Sequence, residues 1–365
     1  MRRVQFNRRS AFTLVELLMV ITIIGILVGI LVPTVMYAMR SVRANAIAME
    51  VSTLANAVDQ YKNKYGDYPP DGTDDTVFSR HCRKLFPNMA ASELTAVSDG
   101  STCSRPGGAG VMDPPEALVF FLGGFSADPV HPFTGPGGPL VAAPTSADSP
   151  HQYNVDRNEP IFEFNQGQLS LTTYIDQGNQ ITLSDDDGLT TPSTLPSGGF
   201  PGDYIPVYRP KGKVAPFVYF DSRTYSLAGS YFNKYEMMGY GVARPYKAGE
   251  ETSYTVNTRV TPVFPPASPA NLATNDVYYR YVNDRTYQII SAGLDDGFGG
   301  ISAPVGTPPV FYCYPSGLSL NITQATGAQT GQKTRYTDTN DGVASVQLDN
   351  ATNFAEGILS NALSN

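Results

Sequence analysis

The chain has 365 residues, with 33 acidic against 25 basic side chains and a formal net charge of −8. Charged residues make up only 16% of it, while it holds 34 Gly and 29 Pro, a composition that favours a loop-rich, largely β body over a helical bundle. The body carries no Lys/Arg cluster, which excludes nucleic acid as a partner on charge grounds.

Residues 1–11 hold Arg2, Arg3, Arg8 and Arg9 and no acid. Next comes Leu17–Val32, in which Thr22 is the only polar side chain. With Phe12, Leu14 and Val15 the run approaches the ~20 apolar residues needed to cross a bilayer. A basic stub before such a run stays cytoplasmic, so the acidic body is expected on the far side. A cleaved secretory signal would need a small-residue cleavage site after the apolar run. The residues after Val32 offer no such site, and the helical pattern continues instead.

From Ile47 the apolar residues fall at Val51, Leu54, Val58, Tyr61 and Tyr65, in steps of four and three, which is one face of a helix. The spacing predicts a single helix over 12–64, roughly 80 Å long, apolar all round in its first half and amphipathic in its second. Gly66 and Pro69-Pro70 end it. Pro33 removes one backbone donor and is expected to kink the helix or melt it locally.

Beyond residue 70 the helical period survives only at Glu116–Phe121, read as a helix rather than a buried strand. Residues 126–150 and 187–203 read as loops. Strands are expected at Pro216–Phe220, Val277–Val282 and Thr286–Ile290, the last two as a hairpin across Asn283-Asp284-Arg285. Residues 302–345 are dominated by Gly, Pro, Thr and Ser and read as an insertion. Cys82 and Cys103 flank a polar segment and either pair or stay free; with Cys313 the count is odd.

The residue set for catalysis is sparse. The three histidines, His81, His131 and His151, have no metal-ligand spacing, and there is no nucleophile elbow, P-loop or dinucleotide fingerprint. Gly123-Gly124 and Gly299-Gly300 read as turns, and Asp185-Asp186-Asp187 as a turn cap. Asp338–Gly342 is one residue short of EF-hand spacing and lacks the distal Glu.

Arg8-Arg9-Ser10-Ala11-Phe12-Thr13-Leu14-Val15-Glu16 resembles the prepilin cleavage and methylation signal of type IV pilins and pseudopilins. Glu16 is fifth counting from Phe12, and Pro33 is twenty-second, where that family tends to carry Pro. Ala11 stands where the family usually has Gly. Asp59–Pro69 resembles the helix end of major pseudopilins of type II secretion, and Tyr287–Gly297 their final-strand motif. Asp349–Phe354 is similar to the segment that closes the following loop. The resemblance covers 8–69 and 286–300 well and the middle of the chain not at all.

The resemblance implies an α+β fold, with the long helix packed on an antiparallel sheet and large loop insertions at about 126–203 and 302–345. It divides the chain into a cleaved leader, 1–11, a transmembrane and assembly helix, 12–64, and a periplasmic head, 65–365. A prepilin peptidase would cut between Ala11 and Phe12 and methylate the Phe12 amine. Glu16 would pair with the amine of a neighbouring subunit. The chain would be a non-enzymatic subunit of a pseudopilus or related filament, held in the bacterial inner membrane with its N-terminus cytoplasmic. Other pilin subunits, an assembly ATPase and a platform protein would be its partners. A tip or adhesin subunit is the alternative; Glu16, often missing from tip subunits, favours the shaft. No cofactor is required. Calcium is the ion the resemblance offers, with Leu294, Asp295, Asp296, Asp349 and Asn350 as its ligands.

Overall fold

The apolar run and the four-three stripe form one helix, α1, Leu14–Tyr65. The computed structural model describes residues 14–98, 111–143, 151–176, 179–184, 204–227, 231–237, 240–249, 281–299, 310–315, 319–321 and 349–359. The chain divides into two compact units, Met1–Arg43 and Ala44–Asn365.

In the first unit every described side chain is exposed, and the helix is long and apolar enough there to cross a membrane. Its two threonine hydroxyls are taken up by the helix itself. The Thr22 hydroxyl donates to the Leu18 carbonyl at 2.7 Å, and that of Thr34 to Leu31 at 2.7 Å. The helix is continuous through Pro33, so the local melting that Pro33 suggested does not occur. Proline's fixed φ is helical and its cost is one lost bond, and the Thr34 hydroxyl adds bonds to the Ile30 and Leu31 carbonyls in the same turn.

In the second unit, α1 buries Ala44, Ile47, Val51, Leu54, Ala57, Val58 and Tyr61, the predicted stripe with two alanines added and with Tyr65 only partly buried. The helix ends at Gly66, whose φ of 79° suits a residue without Cβ and whose amide donates to the Lys62 carbonyl. Three short helices follow: α2 (Asp75–Leu85), α3 (Ala91–Ser98) and α4 (Pro114–Leu122). Helix α4 is the predicted 116–121 element. It is buried on every face, as a helix apolar all round must be. The Glu116 carboxylate accepts from the Asp113 amide at 2.6 Å and closes a capping box at its start. At its other end the Arg157 guanidinium donates to the Val119, Phe120 and Gly124 carbonyls, covering acceptors a helix leaves open. The Tyr61 ring meets Phe121 edge-on, with centroids 5.8 Å apart.

The core sheet is antiparallel, in the order β14 (Ala351–Thr352), β11 (Tyr287–Ser291), β5 (Val218–Asp221). Every residue of β5 and β11 is buried, the polar Asp221, Gln288 and Ser291 among them. Around it lie four two-stranded pairs: β1 (Leu140–Ala142) with β2 (His151–Tyr153), β3 (Leu171–Asp176) with β4 (Asn179–Ser184), β6 (Ser226–Leu227) with β7 (Tyr231–Phe232), and β8 (Tyr235–Met237) with β9 (Gly241–Ala243). A further sheet has the order β10 (Lys247–Gly249), β12 (Val310–Pro315), β13 (Ser319–Asn321), with β10 and β12 parallel. The fold is α+β, with antiparallel sheets predominating.

Three expectations are corrected. The turn at 283–286 forms, with the Thr286 amide donating to the Asn283 carbonyl at 3.1 Å. The expected hairpin does not form in the described part: Tyr281 bridges to Lys247 and the Val282 amide donates to Tyr246. Strand β11 has no free edge for it, because β5 and β14 take both sides; residues 277–280 lie outside the described set. Second, the stretches read as loop insertions contain strands: β1, β2, β3 and β4 fall within 126–203, and β12 and β13 within 302–345. Third, beyond residue 70 a helix was expected only at 116–121, whereas α2, started by the Asp74 side-chain cap, and α3 are helices too; on α2 Cys82 takes the second of its two open alternatives, a free and wholly buried thiol whose pKa burial raises. Cys103 lies outside the described residues.

Candidate functional site

Ala11 and Phe12 precede the described residues. Glu16 sits in the first turn of α1, flanked by exposed Leu14, Val15, Leu17 and Leu18. A carboxylate there complements the positive end of the helix dipole. The same carboxylate in hydrocarbon costs a few kcal/mol, which a neighbouring cation would offset. The segment thus presents one anionic group at the start of a long apolar run.

The helix end is clamped by residues sequence reasoning did not single out. Asp71 is wholly buried. Its Oδ1 accepts from the Thr73 amide at 3.1 Å and the Thr73 hydroxyl at 2.6 Å. Its Oδ2 accepts from the Asp221 amide at 3.1 Å, the Asn233 amide group at 2.7 Å and the Thr224 hydroxyl. Beside it Arg223 donates to the Asp221 and Asp67 carboxylates and to the Tyr68 carbonyl, and the Tyr219 hydroxyl donates to the Pro69 carbonyl at 2.8 Å. Burial pushes the Asp221 carboxyl up to about 7, against the pull of Arg223. The one local signal was an acid after Pro69-Pro70; its partners other than Thr73 lie 150 residues or more downstream.

The turn after β11 brings together part of the predicted ligand set. The Asp349 Oδ2 accepts from the amides of Leu294 at 2.8 Å and Asp295 at 3.1 Å, so the two halves do meet across the intervening residues. Gly293 makes this approach possible. Its φ is 69°, and a Cβ on it would lie 2.1 Å from the Asp349 carbonyl oxygen. Gly293→Ala should therefore cost about 2–4 kcal/mol, from the left-handed backbone and the clash together. Urea denaturation checks this, and a midpoint like that of the parent would contradict it.

The other predicted ligands point elsewhere. The Asp295 carboxylate turns back on the Gly297 amide at 2.8 Å; desolvation pushes it up to about 6, with that amide opposing. Asn350 is buried and donates to the Tyr246 hydroxyl at 3.1 Å. The Asp296 Oδ1 accepts from the amides of Val214 at 3.1 Å and Ala215 at 3.3 Å, and its Oδ2 lies 3.6 Å from the Lys213 ammonium. That ammonium also donates to the Leu294 carbonyl. Calcium takes six to eight converging oxygens. Here one oxygen each of Asp349 and Asp295 accepts from backbone amides, both oxygens of Asp296 face N–H groups, and the Leu294 carbonyl faces a lysine. Among the described residues no cluster of three or more His, Cys, Asp or Glu could hold a metal. As arranged, the set does not fit calcium.

Residues 6–32 match the family model of the prokaryotic N-terminal methylation motif. The chain is 37% identical over 65 residues to the type II secretion system core protein G of Aeromonas hydrophila, a match covering 18% of this chain and 46% of that protein. It thus spans less than half the length of the curated relative it matches. No solved structure matches it.

Proposed function

We propose that this chain, type IV pilin-like by its N-terminal methylation motif and its long apolar helix ahead of a β-sheet head, is a structural subunit of a type II secretion pseudopilus or a related filament. The observation that carries the reading is the placement of the motif: it opens directly onto an exposed apolar helix whose first turn holds Glu16. A peptidase that cuts ahead of such a helix leaves it in the mature chain, able to anchor the subunit in the inner membrane and then to pack among copies of itself. Removing residues 1–11 strips the four arginines, and with them the cytoplasmic anchor of a positive-inside signal. A prepilin peptidase, an assembly ATPase and a platform protein would supply the chemistry and the work, so the chain itself need catalyse nothing. Similarity to a secretion core protein supports the secretion reading.

The mature protein is expected to begin at Phe12 with an N-methylated amine. Mass spectrometry of the N-terminal peptide from membranes tests this. A chain that still starts at Met1, or one that starts beyond residue 33, would sink the assignment.

A further inference from the structure

The loop before β5 lies against the turn after β11. It reverses at Gly212, whose φ is 72°, with the Lys213 amide donating to the Pro210 carbonyl at 3.0 Å. Three consecutive residues then meet the turn. The ammonium of Lys213 reaches the Leu294 carbonyl and the Asp296 carboxylate, and the amides of Val214 and Ala215 both donate to the other oxygen of that carboxylate. Both side chains of the ion pair are about four-fifths buried, at 19% and 20% exposure. Asp296 itself has a φ of 63°, a conformation that needs such support in a residue with a Cβ. A main-chain carbonyl and a carboxylate converging on one point are the partners a bound cation would take.

We propose that Lys213 is the resident cation of this turn: a tethered ammonium that bridges the Leu294 carbonyl and the Asp296 carboxylate, so that the turn is held without calcium. The chemistry is sufficient for the task. An ammonium has three donors on a flexible stem and needs no six-oxygen cage. A divalent ion entering the same place would meet a like charge at contact distance, in a setting where solvent screening is weak. One oxygen of each neighbouring carboxylate is already engaged by backbone amides, the Asp349 Oδ2 by Leu294 and Asp295 and the Asp295 Oδ1 by Gly297. The inference concerns how the turn is held and does not depend on the filament reading.

Hydrogen exchange on the full chain in detergent micelles tests it, read on the peptide spanning 290–299. In the wild-type protein, exchange of that peptide is expected to be the same in millimolar calcium chloride as in EGTA; added protection from calcium in that peptide would overturn the proposal. In Lys213→Met the same peptide should exchange about tenfold faster or more, through easier local opening. Lys211→Met, at an exposed neighbour on the same loop, should leave it unchanged. Parent-like exchange in Lys213→Met, or equal acceleration in Lys211→Met, would also overturn it. The calcium comparison needs only the wild-type protein, so the proposal stays open to refutation if the Lys213 variant fails to fold.

Discussion

Glu16→Ala should still insert into the membrane, yet its incorporation into filaments beside the wild-type chain should fall by about tenfold or more. Insertion is indifferent to the change, because removing a charge makes an apolar helix more apolar. Assembly is different. In the proposed filament the first turn of α1 lies among other helices, where a carboxylate is costly unless a cation meets it. The free amine of a neighbouring chain is such a cation, and the pair would fix axial register. A tenfold loss corresponds to about 1.4 kcal/mol, less than the few kcal/mol that such a charge costs in hydrocarbon, so the effect should be plain. Co-expressing tagged wild-type and variant chains and weighing their ratio in sheared filaments measures it. A ratio matching that in the membrane would refute the pairing while leaving the processing prediction standing.

Asp71→Ala should destabilise the head by about 4 kcal/mol or more. Five donors converge on this one carboxylate, two from backbone amides and three from side chains, and the site is closed to water. Truncation leaves them without an acceptor, at about 1–3 kcal/mol for each donor that cannot find another partner. Asp71→Asn should recover only part of the loss, since its NH2 group would face donors rather than acceptors. Thermal denaturation followed by circular dichroism gives the ranking. Equal melting of all three proteins would mean that the network is ornamental and that packing alone holds this joint.

What was legible in the sequence is what short-range periodicity encodes. The stripe from Ile47 to Tyr61 and the mainly apolar stretches of α4 and β5 announce themselves within a few residues, because burial on one face or all faces writes itself into spacing. Glu16 was legible for a related reason: an acid in an apolar run is conspicuous. Asp71 and Lys213 were not. Each looks like an ordinary surface charge until residues far along the chain close around it. The hairpin at 283–285 failed similarly. Its turn was read correctly from local residues, but the competition for the edges of β11 was settled by β5 and β14, which lie about 70 and 60 residues away. The residues at 294–296 and 349–350 show the same division. Gly293 lets Asp349 approach, whereas the lysine that faces the carbonyl comes from a different part of the chain.

The clamp at the end of α1 has a mechanical meaning. Gly66 would by itself be a swivel, since a glycine with positive φ can be displaced at little cost. The residues that follow it are instead pinned at successive points, Asp67 and Tyr68 by Arg223, Pro69 by Tyr219 and Asp71 by its five donors. A twist applied to residues 44–65 of α1 therefore has no joint in which to dissipate. It is shared among fasteners that must give way together, and the sheet turns with the helix like a key with its shaft.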